Sequence, residues 1–157
     1  MFELENLSSV QGEVDALLRK FQPTETLEPK DCTTPELRLE YIARWLEAGA
    51  PHVGDLIGFD MRNVSTRTSC GTICCIAGAV NQFFGNPLYK HSDDADDAVE
   101  LLGMSDYDSD DLFEPENYFL GEDHYGNKYT PAWAARCIRK YQREGIVDWE
   151  GTREVTP

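Results

Sequence analysis

From Ile73 to Phe84 the chain is almost continuously apolar, with only Asn81 and Gln82 interrupting. Twelve residues are too few to cross a bilayer, so the run predicts a helix buried on most sides. It is placed at about 72–84, with Thr72 as its cap and Gly85-Asn86-Pro87 as its stop. Ile73, Ile76, Val80 and Phe83 mark one face, and the small pair Cys74 and Gly78 would let a second backbone come close. Helical periodicity recurs on both sides. Ser8 and Gln11 fit a capping box ahead of Val10, Val14, Leu17, Leu18 and Phe21, and Pro23 stops that helix. Thr34-Pro35 opens another, with Leu39, Ile42, Ala43 and Leu46 as its buried stripe, Trp45 on the shoulder, and Gly49 with Pro51 beyond its end. Val53 to Met61 holds two glycines and mixed periodicity, which suits a short helix or an extended segment before a polar loop, Asn63 to Ser69. Ser92 is the expected cap of a helix burying Ala95, Ala98, Val99 and Leu102 and ending at Gly103. Ser105 with Asp108 caps a short helix to Phe113. Thr130-Pro131 opens the last helix, which buries Ala134, Ile138 and Tyr141 and closes at Gly145, after which Ile146, Val147 and Trp149 fold back. The connector 114–129 carries four aromatics, with room for a small hairpin over 117–129. The expectation is an all-α single domain, 1–157, of five or six helices around the central one.

Charge changes this picture more than composition does. Of the net −15, residues 91–127 account for −13, with thirteen acids and no Lys or Arg. That sign disfavours direct contact with nucleic acid or an anionic membrane and favours a basic partner. There is no basic, apolar leader after Met1 and no apolar run of 18 residues, so a cytoplasmic protein is expected. Five cysteines, with Cys74 and Cys75 adjacent, read as reduced thiols.

Three constellations invite chemistry. Cys70 and Cys74, one turn apart at a helix entrance, are a candidate thiolate site, loosely like the nucleophile region of papain-type proteases, with His91 or His124 as base. The same cysteines and histidines are a candidate zinc set, though only one close pair is present. Asp106, Asp108, Asp110 and Glu114 follow a calcium-loop register that lacks its glycine. Against these, Cys74 and Cys75 read as small core residues. No phosphate loop, nucleophile elbow or dinucleotide fingerprint is present, so no cofactor and no metal are expected. The acidic segment is the better candidate. Duplex DNA carries one charge per roughly 1.7 Å of axis, so thirteen carboxylates on one face imitate roughly 20 Å of duplex. The expected partner-binding residues are Asp93, Asp94, Asp96, Asp97, Asp106, Asp108, Asp110, Asp111, Glu114 and Glu116. Two plainer readings stand beside it: a solubilising face, and internal pairing with Arg136, Arg139, Lys140 and Arg143 of the last helix.

The string Cys70-Gly71-Thr72, then Cys75-Ile76-Ala77-Gly78, resembles a Cys-Gly-Thr-x-x-Cys-Ile-Ala-Gly core of small uncharacterised bacteriophage and bacterial proteins. Phe59-Asp60-Met61, Leu102-Gly103-Met104, Leu112-Phe113, Thr130-Pro131 and Gly145-Ile146-Val147-Asp148-Trp149 extend the resemblance over residues 34–149. It implies a compact, mostly helical fold in a phage setting and marks the seven core residues as fold-defining; it implies no activity. By analogy of class, small acidic phage proteins include inhibitors of host defence, among them anti-CRISPR proteins that imitate DNA. The functional expectation is a non-enzymatic inhibitor that occupies a basic, nucleic-acid-binding site on a host protein. The alternatives are a thiol-dependent enzyme or zinc protein using Cys70, and an accessory phage protein whose acidity only keeps it soluble.

Overall fold

The computed structural model describes residues 26–61, 65–69, 71–88, 95–115 and 129–154. Within them lie five α-helices and three strands: α1 (Pro35–Glu47), β1 (Leu56–Phe59), β2 (Ser65–Thr68), β3 (Gly71–Cys74), α2 (Ile76–Phe84), α3 (Asp96–Leu102), α4 (Asp106–Phe113) and α5 (Pro131–Glu144). The fold is therefore mixed α/β, and the all-α expectation is wrong. The predicted first helix and the hairpin over 117–129 fall outside the described residues, apart from the irregular Tyr129.

The strands form one sheet in the order β1-β3-β2, with β3 parallel to β1 and antiparallel to β2. Residues 72–74, expected as the start of the central helix, are its middle strand, and the helix begins only at Ile76 with Cys75 as N-cap. Thr72 and Ile73 are β-branched, as is Thr66 opposite Ile73, and such residues favour a pleated strand. The apolar run hides this junction because a short buried strand and a buried helical turn look alike in periodicity. Gly71 shows the constraint at the start of β3. Its φ is +146°, and a Cβ there would sit 2.6 Å from the Asp55 carbonyl oxygen and from Ile57 Cγ2. Ile57 is the extra residue where the β1–β3 register slips between Leu56 and Gly58.

The central position of α2 is as expected: α1, α3, α4, β1 and β3 all pack on it. Ile42, Leu46, Leu56, Ile76, Val80, Leu112 and Ile138 are fully buried around it. The Thr34 and Thr130 hydroxyls cap α1 and α5 by accepting from Leu37 and Trp133 N–H groups, and Pro fills the first helical position of each. The seam between α1 and α2 is closed by Tyr41, Trp45, Phe83 and Phe84 in edge-to-face contact, with centroids 4.9 to 5.6 Å apart. On the other side α1 lies along α5. There Arg139 makes a two-pronged pair with Glu47 at 2.7 and 2.8 Å and a second with Glu40, which also accepts from Arg44 and Gln142. Of the residues expected to fold back after α5, Trp149 is buried and Val147 half-buried, whereas Ile146 is exposed. No helix among the described residues is long and apolar enough to cross a membrane.

Candidate functional site

Residues 95–115 contain eight acids and no Lys, Arg or His, and they fold into α3 and α4 joined by the short link 103–105. Asp96 and Asp97 occupy the first turn of α3, and Asp106 and Asp108 that of α4, where the helix dipole favours negative charge. Ser105 caps α4, its hydroxyl accepting from the Asp108 N–H at 3.1 Å as its sequence predicts. The expected cap Ser92 is outside the described residues; Ala95 precedes α3 without a side-chain cap. Gly103 ends α3 in the left-handed region, and Arg38 of α1 donates to the Leu101 carbonyl at 2.8 Å. A guanidinium at a helix C-terminus satisfies a free carbonyl and complements the dipole.

A groove of about 900 Å³ runs between the two helices. Asp96 and Glu100 of α3 line one side, Asp106, Asp110 and Glu114 line the other, and Val99, Met104, Ser109 and Phe113 lie between them. Each row repeats every fourth residue, so neighbouring carboxylates stand about 6 Å apart along their helix. Like charges at that spacing destabilise a helix by about 0.2–0.5 kcal/mol per pair. That repulsion offsets part of what Asp96 and Asp106 contribute at the helix N-termini.

The structure divides the expected partner-binding set. Asp96, Asp106, Asp110 and Glu114 meet in the groove, while Asp97 is exposed but does not line it. Asp108 is half-buried, and its charge adds to burial in raising the Tyr141 hydroxyl of α5 from its ordinary value. Asp111 is buried, and that burial, with Asp108 and Asp110 beside it, pushes its carboxyl up from the ordinary value. Asp93, Asp94 and Glu116 lie outside the described residues. Glu100 was missed, and the signal for it was its four-residue spacing from Asp96. Three of the four α5 cations pair elsewhere: Arg139 faces Glu40 and Glu47 of α1, Lys140 faces Asp148, and Arg136 faces Glu154.

The thiols follow a different logic. Gly71 and Thr72 belong to β3, and Cys75, Ile76, Ala77 and Gly78 turn the chain into α2, all four buried; Cys70 lies outside the described residues. The cysteine at the helix entrance is thus Cys75. Burial pushes its thiol up to about 11, against the pull of the Gly78 and Ala77 backbone N–H groups. Burial likewise raises Cys74, and it holds Cys137 at about 12. Buried thiols so raised are packing residues rather than nucleophiles. Of the zinc set, Cys70, His91 and His124 lie outside the described residues. Among the described residues, which include the calcium register Asp106 to Glu114, no group of three or more His, Cys, Asp or Glu is arranged to hold a metal ion. Comparison of the chain with protein-family profiles, with curated proteins and with solved structures yields no match.

Proposed function

We propose that this is a non-enzymatic binding protein whose acidic face, centred on the groove between α3 and α4, occupies a basic, nucleic-acid-binding site on another protein. The observation that supports it most is the pair of facing carboxylate rows, five side chains lining one groove within a segment that contains no cation. Like charges repeat within each row, and Arg136, Arg139 and Lys140 of α5 are engaged with α1 and the C-terminal turn. A partner bearing Lys and Arg complements the charge of this face, steers association and gains from charge-assisted hydrogen bonds. In this reading the face stands in for a stretch of nucleic-acid backbone. The setting is a phage-type inhibitor acting in the host cytoplasm, of which anti-CRISPR proteins are one kind.

The test is capture of nucleic-acid-binding proteins from a bacterial lysate on the immobilised chain. Each captured protein is then purified and assayed against the wild type and against a variant carrying Asp96→Lys, Glu100→Lys, Asp106→Lys and Asp110→Lys. Binding should weaken steeply between about 50 and 200 mM salt, duplex DNA should compete, and the variant should not bind. A partner held equally well by that variant, or bound together with DNA, rules the reading out.

A further inference from the structure

Trp149 belongs to no helix, yet it is buried and joins two of them. Its indole N–H donates to the Asp111 carbonyl in the last turn of α4 at 2.9 Å, and its own carbonyl accepts from the Trp133 indole of α5 at 2.7 Å. Its ring meets Tyr129 and Trp133 edge-on, with centroids 5.3 and 5.7 Å away. The turn that carries it is tied to α5. Lys140 pairs with Asp148 at 2.7 Å, and Arg136 donates to the Thr152 carbonyl at 2.8 Å. The turn is also closed on itself, since the Asp148 carboxylate accepts from the Gly151 N–H and the Thr152 hydroxyl donates to the Asp148 carbonyl, both at 2.7 Å.

The helix held in this way needs the hold. The α3 backbone packs on both α1 and α2, whereas α4 meets α2 over a smaller contact. One side of α4 is the carboxylate row Asp106, Asp110 and Glu114, which faces the like-charged row of α3. Arg38 pins the end of α3 through the Leu101 carbonyl, and Trp149 pins the end of α4 through the Asp111 carbonyl. We infer that residues 148–154 are a strap that sets the position of α4, and with it the width of the acidic groove. The strap holds whether or not anything fills the groove.

Hydrogen exchange of the full chain, read per amide, tests this. Two variants are compared with wild type: Trp149→Phe, which removes the indole donor, and the double variant Asp148→Asn with Arg136→Gln, which loosens the strap and leaves Trp149 in place. The double variant should speed exchange of the amides at 109–114 about tenfold, the equivalent of one lost hydrogen bond, while α1 and α2 keep their protection. Trp149→Phe should give the same pattern, more strongly. Unchanged exchange in α4 of the double variant overturns the inference. So does equal acceleration in α1 and α2, or failure of that variant to fold, because the turn is then part of the general core.

Discussion

At Gly71 the chain has room for nothing but hydrogen. A methyl group there meets backbone on one side and the Ile57 side chain on the other, at a φ of +146° that L side chains rarely adopt. Gly71→Ala should therefore cost about 2–4 kcal/mol, which for a chain of this size lowers the melting temperature by about 4–16 °C. Calorimetry decides it, and a change within about 1 °C would mean that the β1 bulge yields easily. The acids separate in the same way, by surroundings rather than by type. Asp110 lines the groove and is exposed, whereas the adjacent Asp111 is buried with a raised carboxyl. Asp110→Lys should leave the melting temperature unchanged or slightly higher and weaken binding to a Lys- and Arg-rich peptide. Asp111→Lys should cost about 1–3 kcal/mol, because the longer side chain does not fit the buried site of the carboxylate even though Asp108 and Asp110 stand beside it. Thermal melts paired with peptide titrations would show whether the two positions behave alike, and equal behaviour would contradict the placement of α4.

Among the elements, α1 and α5 are joined by polar groups as well as by their core stripe, and the polar part depends on pH. Burial raises the Glu40 carboxyl, but the hydrogen bonds from Arg139, Arg44 and Gln142 together outweigh it and bring the pKa down from 4.5 to about 2. The Arg139 guanidinium also lowers Glu47. A carboxyl lower in the folded than in the unfolded chain contributes stability that is complete above its unfolded value and is lost as the pH falls through its folded one. For Glu40 that window runs from 4.5 down to about 2. Glu40→Gln should cost about 1–2 kcal/mol at neutral pH and make acid unfolding shallower across the window. Denaturant melts at successive pH values would show it, and equal slopes for the two proteins would deny the pair its role. These two helices were legible in the sequence because Thr-Pro caps, a stripe of regular period and a closing Gly all agree. The same holds for α4, where Ser105 and Asp108 mark the start. The sheet was not legible. Its strands are four residues each, the apolar run crosses from β3 into α2 without a break, and β1 carries a bulge that spoils alternation. The groove was half legible. Periodicity along 96–114 picks out its lining, but only the fold shows that Asp108 and Asp111 turn inward.

Across the whole molecule, salt should act with opposite signs on stability and on binding. The net charge is −15, and α3 with α4 and their flanks concentrate eight acids without a cation. Screening lengths fall from about 30 Å at 0.01 M salt to about 10 Å at 0.1 M, so added salt relieves repulsion between the two rows. Part of that repulsion persists in the unfolded chain, because the acids are close in sequence, so the gain is modest, about 1 kcal/mol. Salt also weakens the Arg139 pairs, but less, since Arg139 and Glu40 are about a quarter exposed and the more exposed Glu47 is held by a two-pronged pair. The melting temperature should rise by about 2–4 °C between 0.01 and 0.3 M salt, while affinity for a basic peptide falls over the same range. A variant with Asp96→Asn, Glu100→Gln, Asp106→Asn and Asp110→Asn should start more stable at low salt, lose most of the rise, and lose the affinity too. Joint loss of both responses ties them to the same side chains. A variant that keeps the wild-type salt response would place the strain elsewhere on the acidic surface, and one that keeps the affinity would leave the groove without a part in recognition.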